Sequence, residues 1–459
     1  MALKRGAMTN VSELIEGYSC AFPGAAPPRV CRAPGRVNLI GEHLDYNGLP
    51  VLPMTVDRDV CVAFAPRADH VVRMRSWHDA FPGVAFENRA DIPASLPGSW
   101  ENYCKAAIAG INDHFGFHEH AGMDLFVAGD VPVAAGLSSS SALVVACALA
   151  YLDVSGRALG NSVSRIDLAG VLAEAEQYVG TRGGGMDQAI ILLGSDQDAC
   201  KIDFAPLRTE HVPLPRDFVF VVCNTLVTAP KTGAALHRYN AGPTTCRLIR
   251  ALAERQVQKD FGEEVTIDSL ADLWYGPLCL THGEVREIFE KAFPADRTTL
   301  EDAAKALGIG AGEVRRRYIG DLPEPEGGFR LQARARHQLT EYQRVEAARD
   351  ALVAGDAETF GELMNASHES CAGDYGVSCP ELDALVAIAR EAGAIGARLT
   401  GAGFGGCTVN LVHRDAVQNF QERVRREYHE RYLASRNLPI PPEAILLAHA
   451  SPGAGYVHG

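Results

Sequence analysis

The chain has 459 residues, 47% hydrophobic and 22% charged, an ordinary globular composition with length enough for two or three domains. A formal net charge of −14 argues against a nucleic-acid or anionic-membrane partner, since either needs a basic surface. The longest apolar run, 142–152, is far too short to span a bilayer, and residues 1–20 lack the apolar core of a signal peptide. The twelve cysteines form no C-x-x-C pair, so they read as reduced thiols in a cytoplasmic protein rather than as a zinc or redox site.

In chain order, Val11 to Phe22 reads as a helix and Arg29 to Ala33 as a strand ended by Pro34-Gly35. The stretch PGRVNLIGEHLDYNGLPVLPM, Pro34 to Met54, groups Arg36, Asn38, Glu42, His43 and Asp45 before a turn at Asn47-Gly48. So much charge between strands is either solvated or ligand-bound, and the mixture of two acids, Arg, His and Asn favours a molecule rich in hydroxyls. Strands are expected at 51–56, 60–65, 70–75 and 123–128, with a helix from Trp100 to Asn112.

The stretch VPVAAGLSSSSAL, Val131 to Leu143, sets Gly136 and four serines, Ser138 to Ser141, before the apolar run that starts at Ala142. The first turn of a helix has N–H groups without intrahelical partners and a partly positive dipole end, so glycine and hydroxyls there suit a phosphate. A plain serine N-cap is the competing reading. Ser164 with Asp167 starts a helix, 164–179, that carries Glu174 and Glu176. GTRGGGMDQ follows, presenting Asp187 at the start of a helix after three glycines, or else simply as a dipole partner.

Further on, strands are expected at 200–204 and 218–223, then a helix broken by Gly242-Pro243 and a charged helical insertion over 261–319. Helices follow at 331–353 and 357–371. GARLTGAGFGGCTVNL, Gly396 to Leu411, satisfies G-x-G-x-x-G, but β-branched residues rather than a helix follow it, so a dinucleotide site is rejected in favour of a glycine hairpin. A last amphipathic helix spans 416–432. An anion loop, glycine turns and an isolated acid together suggest phosphoryl transfer, which needs positioning, charge neutralisation and often a base for the attacking hydroxyl.

Three segments, GRVNLIGEHLDYNGLPVLPM, Pro132 to Ala142 and Arg398 to Cys407, resemble the three motifs of the GHMP small-molecule kinases, and the first resembles the galactokinase signature, over about residues 10–450. The resemblance implies a two-lobed α+β fold. Its N-terminal lobe, 1–205, is of ribosomal-protein-S5-like type. Its C-terminal lobe, 206–459, is ferredoxin-like with a helical insertion about 255–325, and the serine loop and the Gly401 turn face each other across the nucleotide. It implies ATP and Mg2+ as cofactors, a sugar substrate, no nucleic-acid or membrane partner, and a monomer or weak oligomer. It also implies that Asp187 is the base for the anomeric hydroxyl, paired with Arg36, and that Glu42, His43, Asp45, Gly185 and Tyr239 line the sugar site. ATP would be held by Trp100, Gly136, Leu137, Ser138, Ser139, Ser140, Ser141, Ala142, Gly401 and Gly403, with Ser140, Ser141 and Glu176 near the metal.

Two features depart from the bacterial pattern: GGGMDQ stands where CGIMDQ is expected, and the insertion with the stretch 367–386 is closer to a eukaryotic branch that includes N-acetylgalactosamine kinase. Tyr239, in contrast, is expected of galactose-specific members. The alternatives are therefore N-acetylgalactosamine or another galacto-configured sugar, a non-catalytic sugar and ATP sensor, and a mevalonate- or homoserine-type acceptor.

Overall fold

A helix that is apolar on every side has to lie inside a protein, and the run beginning at Ala142 does. In the computed structural model it belongs to the helix Ser139–Val154, buried from Ser141 to Leu152 except at Leu143. The structure describes residues 10–457 except 134, 161, 181–182 and 228–233, and none of the side chains of 234–239.

The strands are β1 (Arg29–Ile40), β2 (Leu52–Arg67), β3 (Val71–Ser76), β4 (Val84–Glu87), β5 (Gly122–Gly129), β6 (Asp198–Phe204), β7 (Leu207–Pro213), β8 (Phe218–Asn224), β9 (Gly396–Thr400), β10 (Cys407–His413), β11 (Ile445–Ala448) and β12 (Gly455–Val457). A six-stranded sheet has the order β12-β1-β2-β5-β3-β4, with β3 and β5 parallel and the other neighbours antiparallel. The buried helix Ser139–Val154 lies on β1 and β2, between the helices Glu101–Phe115 and Met186–Leu193. A four-stranded antiparallel sheet, β11-β8-β10-β9, joins the expected strand near 218–223 to the two strands of the glycine hairpin. β6 and β7 form a hairpin, and β12 brings the end of the chain back to β1, with Val457 opposite Val30. The expected α+β architecture with two sheets stands.

The insertion consists of short helices, Asp272–Tyr275, His282–Ala292, Leu300–Leu307 and Ala311–Val314. Two of them start at capping boxes, Thr281 with Glu284 and Thr299 with Asp302, whose reciprocal bonds satisfy otherwise partnerless N–H groups.

Several expectations are corrected. Pro34-Gly35 does not end a strand: β1 runs through it at a bulge in the ladder, where the partner on β2 jumps from Asp59 to Thr55 and the extra residues are those of β2. The expected strands 51–56 and 60–65 are one, since Arg32 holds the intervening Asp59 at 2.9 Å and keeps the polar residues at the half-exposed middle of β2. Pro243 does not break its helix, which is continuous over Ala234–Phe261. The amide hydrogen bond that the proline cannot make is the one to the carbonyl of residue 239; beside it, the Thr245 hydroxyl reaches Ala241 O at 2.8 Å and Gly242 O at 2.9 Å, and Arg334 reaches Ala241 O at 3.2 Å. The last helix is shorter, Val417–Val424, followed by wider turns over Arg425–Tyr432. β4, β7 and the helix Pro380–Glu391 were not anticipated.

The two sheets are tied by buried charge. Arg398 on β9 is fully buried, with Nη1 2.9 Å from Asn38 O and 3.6 Å from Glu42 Oε1, and Nε 3.1 Å from Ser367 Oγ. Removing one member of such a pair leaves the other charged and buried, at a cost of about 3–5 kcal/mol. Arg398→Met should therefore move the urea unfolding transition of the purified protein to markedly lower concentration, whereas a shift within error would mean the pair contributes nothing.

Candidate active site

The bulge at Pro34-Gly35 re-aims the side chain that follows it. Arg36 Nε donates to Asp187 Oδ1 at 2.6 Å, and its Nη1 donates to Gly136 O at 2.6 Å. The Arg36 side chain is 6% exposed and that of Asp187 24%, so the pair faces a cleft rather than bulk water. The other carboxylate oxygen, Oδ2, accepts from the Ser138 hydroxyl and, at 3.3 Å, from that of Ser141. Ser141 Oγ also lies 2.6 Å from Glu176 Oε1. The serine-cap reading fails at Ser138: it is the N-cap residue, at φ +58°, yet its side chain makes no cap bond and turns to Asp187 instead.

The cleft is lined by Arg36, Glu42, His43, Asp45, Tyr46, Glu176, Gly183 to Gln188, Gly401 and Ala402. Asp45 Oδ2 accepts from the N–H groups of Gly184 at 3.2 Å and Met186 at 3.4 Å. A Cβ on Gly184 would lie 2.1 Å from Tyr46 N, so only glycine permits this approach, and Gly185 starts the Asp187 helix at φ +97°. Burial, then the nearby charge of Asp187, push the Asp45 carboxyl up to about 6. His43 sits at φ +64°, stacks on Tyr375 at 4.7 Å between centroids, and has Nδ1 3.1 Å from Tyr46 Oη. Burial, then the charges of His337, Arg398 and Arg334, push it down to about 3, so its ring is neutral. Its ring also has the backbone of Ala402, in the cleft wall, as a hydrogen-bonding neighbour. Glu42 differs: Oε2 accepts from Asn38 Nδ2 at 2.7 Å and Oε1 from Gly401 N at 2.5 Å, while burial raises its carboxyl against the pull of Arg398 and Arg36.

The serine loop and the Gly401 turn pack directly on each other at Gly136 and Gly401. A Cβ on Gly136 would meet Thr400 O at 3.1 Å, and one on Gly401 would meet Gly136 O at 3.1 Å. Gly403, at φ +79°, lies against Val377 O. Leu137 and Ala142 are buried, so only their backbones could serve a ligand, while Ser139 and Ser140 are half-buried at the start of the helix. Ser140 hydrogen-bonds Tyr103. Trp100 stands apart from the cleft: it is buried beside Phe81, with its indole N–H donating to Pro82 O at 3.0 Å. The Tyr239 side chain lies outside the described residues.

Magnesium takes oxygen ligands and keeps several waters. Ser140, Ser141 and Glu176 offer only oxygen donors at one edge of the cleft. Among the described residues no cluster of three or more His, Cys, Asp or Glu would hold a metal alone. The residues fit an ion bound mainly through phosphate oxygens. Sequence reasoning did not find Tyr46 or Tyr375, whose hydroxyls bond each other behind His43. Tyr46 stood inside the first motif; Tyr375 had no signal, being 329 residues away.

Comparison with known proteins gives the class first. The descriptions "GHMP kinases N terminal domain" and "GHMP kinases C terminal" match residues 102–195 and 348–430, and "Galactokinase galactose-binding signature" matches 17–66. The fold, at TM-score 0.53 and 16% identity, is also that of Methanococcus jannaschii mevalonate kinase over 94% of this chain and all of that one. A galactokinase of Roseiflexus sp. is 35% identical over 437 residues, 92% of this chain and 93% of that one; one from Dictyostelium discoideum is 32% identical over 93% and 89%. The structure of Lactococcus lactis galactokinase complexed with galactose matches at TM-score 0.75 and 29% identity, covering 97% of this chain and 100% of that one. The chain belongs to the galactokinase family.

The raised Asp45 has a consequence for stability. Between the usual carboxyl value and about 6, the folded protein holds a proton on Asp45 that the unfolded chain has released, so this group's contribution falls as pH rises through that window. Asp45→Asn removes that loss. Its melting temperature relative to the unsubstituted protein should rise between pH 4 and 6 and level off above; a difference independent of pH would refute the shift. His43, depressed to about 3, pulls the other way in both proteins and cancels in the comparison.

Proposed function

We propose that the protein is an ATP-dependent sugar 1-kinase that phosphorylates the anomeric, C1, hydroxyl of galactose to give α-D-galactose 1-phosphate. The observation that carries this reading is the Asp187 carboxylate, held by Arg36 and two loop serines, opening onto the cleft that His43 and Asp45 line. Asp187 accepts the proton of the C1 hydroxyl. The sugar oxygen forms its bond to the γ-phosphorus as the bond to the β–γ bridging oxygen breaks and ADP leaves. Arg36 keeps Asp187 ionised and oriented, and its charge offsets that of the transferring phosphoryl group. Neutral His43 and Asp45 bind sugar hydroxyls, with Glu42, Gly185 and Tyr239 completing the sugar site. Glu42 does so chiefly by holding Gly401 in place.

Gly136 to Ala142, Gly401 and Gly403 cradle the ATP phosphates through backbone N–H groups and serine hydroxyls, and Trp100 supports the helix entry beside the base. Mg2+, when bound, neutralises phosphate charge; Ser140, Ser141 and Glu176 are the residues that would hold it. No helix among the described residues is long and apolar enough to cross a membrane, and all twelve cysteines are free. The reading includes a cytoplasmic location and a monomer or weak oligomer.

A second sugar, N-acetylgalactosamine, is kept on one observation: among the described residues, a Cβ on Gly183, in the cleft wall, would meet only Glu176 Oε2, at 3.9 Å. Release of ADP on mixing ATP, Mg2+ and galactose tests the main reading, and the same assay with N-acetylgalactosamine tests the second. Asp187→Asn should lower kcat by about 10²–10⁴-fold, the usual size of a general-base contribution, with ATP affinity nearly unchanged. Full turnover in that variant would remove Asp187 from the mechanism.

A further inference from the structure

Behind Tyr375 lies a second cleft, of about 300 Å³, between the insertion loop and the start of the helix Leu331–Ala354. Three arginines line it: Arg297, Arg330 and Arg334. None pairs with a carboxylate among the described residues. Arg297 Nη1 donates to the carbonyls of Glu326 at 3.2 Å and Gly328 at 3.0 Å. Arg334 Nη1 donates to Ala241 O at 3.2 Å and to the Thr245 hydroxyl, with its guanidinium 5.4 Å from the centre of the Tyr375 ring. The Arg330 side chain has no hydrogen bond or ion pair among the described residues.

The one acid in the lining, Asp374, is already held by Arg336, at 3.2 Å from Nε to each oxygen. The nearby Glu324 turns its carboxylate to the N–H of Leu300 at 2.8 Å. Three guanidinium charges with only neutral partners, gathered in one concavity of a chain whose net charge is −14, focus a positive potential there. The dipole of the helix that begins at Leu331 has the same sign at that end. Guanidinium forks match phosphate oxygens two by two, and the rest of the lining, Leu322, Pro323, Pro325 and Phe329, is apolar.

We propose that this cleft binds a phosphorylated small molecule, its phosphate between Arg297, Arg330 and Arg334 and its body against the proline-rich loop. The site is separate from the catalytic cleft but shares a wall with it, because the Tyr375 ring that Arg334 covers also stacks on His43.

The test is calorimetric titration of the full-length protein with inorganic phosphate, α-D-galactose 1-phosphate and citrate. It is run on the unsubstituted protein, on Arg297→Glu/Arg330→Glu, and on Ser139→Ala/Ser140→Ala in the serine loop. The expected result is a binding event for a phosphate-bearing probe that weakens at least tenfold in the double arginine variant and persists in the serine variant, with thermal melting confirming that the arginine variant is folded. Inorganic phosphate alone binding at this site would place recognition on the phosphate; tighter binding of the sugar phosphate would place part of it on the loop. Events lost only in the serine variant, an unchanged affinity in the arginine variant, or binding of citrate with neither phosphate probe would each overturn the proposal. If the arginine variant does not fold, Arg330→Gln replaces it and the same loss is required.

Discussion

One ion pair organises the molecule: the Arg36 guanidinium against the Asp187 carboxylate, 2.6 Å apart and contributed by residues 151 positions apart in the chain. Largely shielded from water, it is worth more than a surface pair and costs more to desolvate. That cost is met by further bonds to the same groups, from Gly136 O to the arginine and from Ser138 and Ser141 to the aspartate. For these groups to converge, three backbone segments must approach one another closely. The bulge puts Gly35 3.0 Å, by its missing Cβ, from Leu137 O; Gly184 lies on Asp45 and Tyr46; Gly136 lies on Gly401. The glycines are thus the steric condition for the ion pair.

Around that pair the cleft is built from groups whose environments push them in opposite directions. Asp45 is raised and His43 depressed, both first by burial. One side of the cleft thereby holds an acid of moderated charge and a neutral imidazole, suited to hydroxyls, while the other holds Arg36 and the helix start, suited to anions. Glu42, Asn38 and Arg398 also hold the walls of the cleft together. They lock the end of β1 to the glycine hairpin of the second sheet, so that the two walls cannot drift apart.

Much of this was legible before any coordinates. The serine loop, the three glycines before Asp187 and the strand-to-strand context of the G-x-G-x-x-G match each carried a local signal, and the apolar run at Ala142 announced a buried helix. What stayed hidden depended on long-range partners. Pro34-Gly35 has turn chemistry, and only pairing with β2 on both sides of it carries the strand through. Pro243 has helix-breaking chemistry, yet the helix around it is continuous, with Thr245 and Arg334 bonded to the neighbouring carbonyls. Tyr375 and the arginines beside it carry no pattern at all; folding assembles them from the insertion and two helices. Trp100 was expected near the nucleotide through resemblance alone, and its indole is spent on packing and one bond to Pro82.

The central claim is that Arg36 and Asp187 act as a unit on one sugar hydroxyl. The direct test is a double-mutant cycle on kcat, at saturating ATP and galactose, with Arg36→Met, Asp187→Asn and both together. Residues that work as a unit are strongly non-additive, so the double variant should be about as slow as the slower single one. Losses that multiply would show two independent contributions and contradict the account.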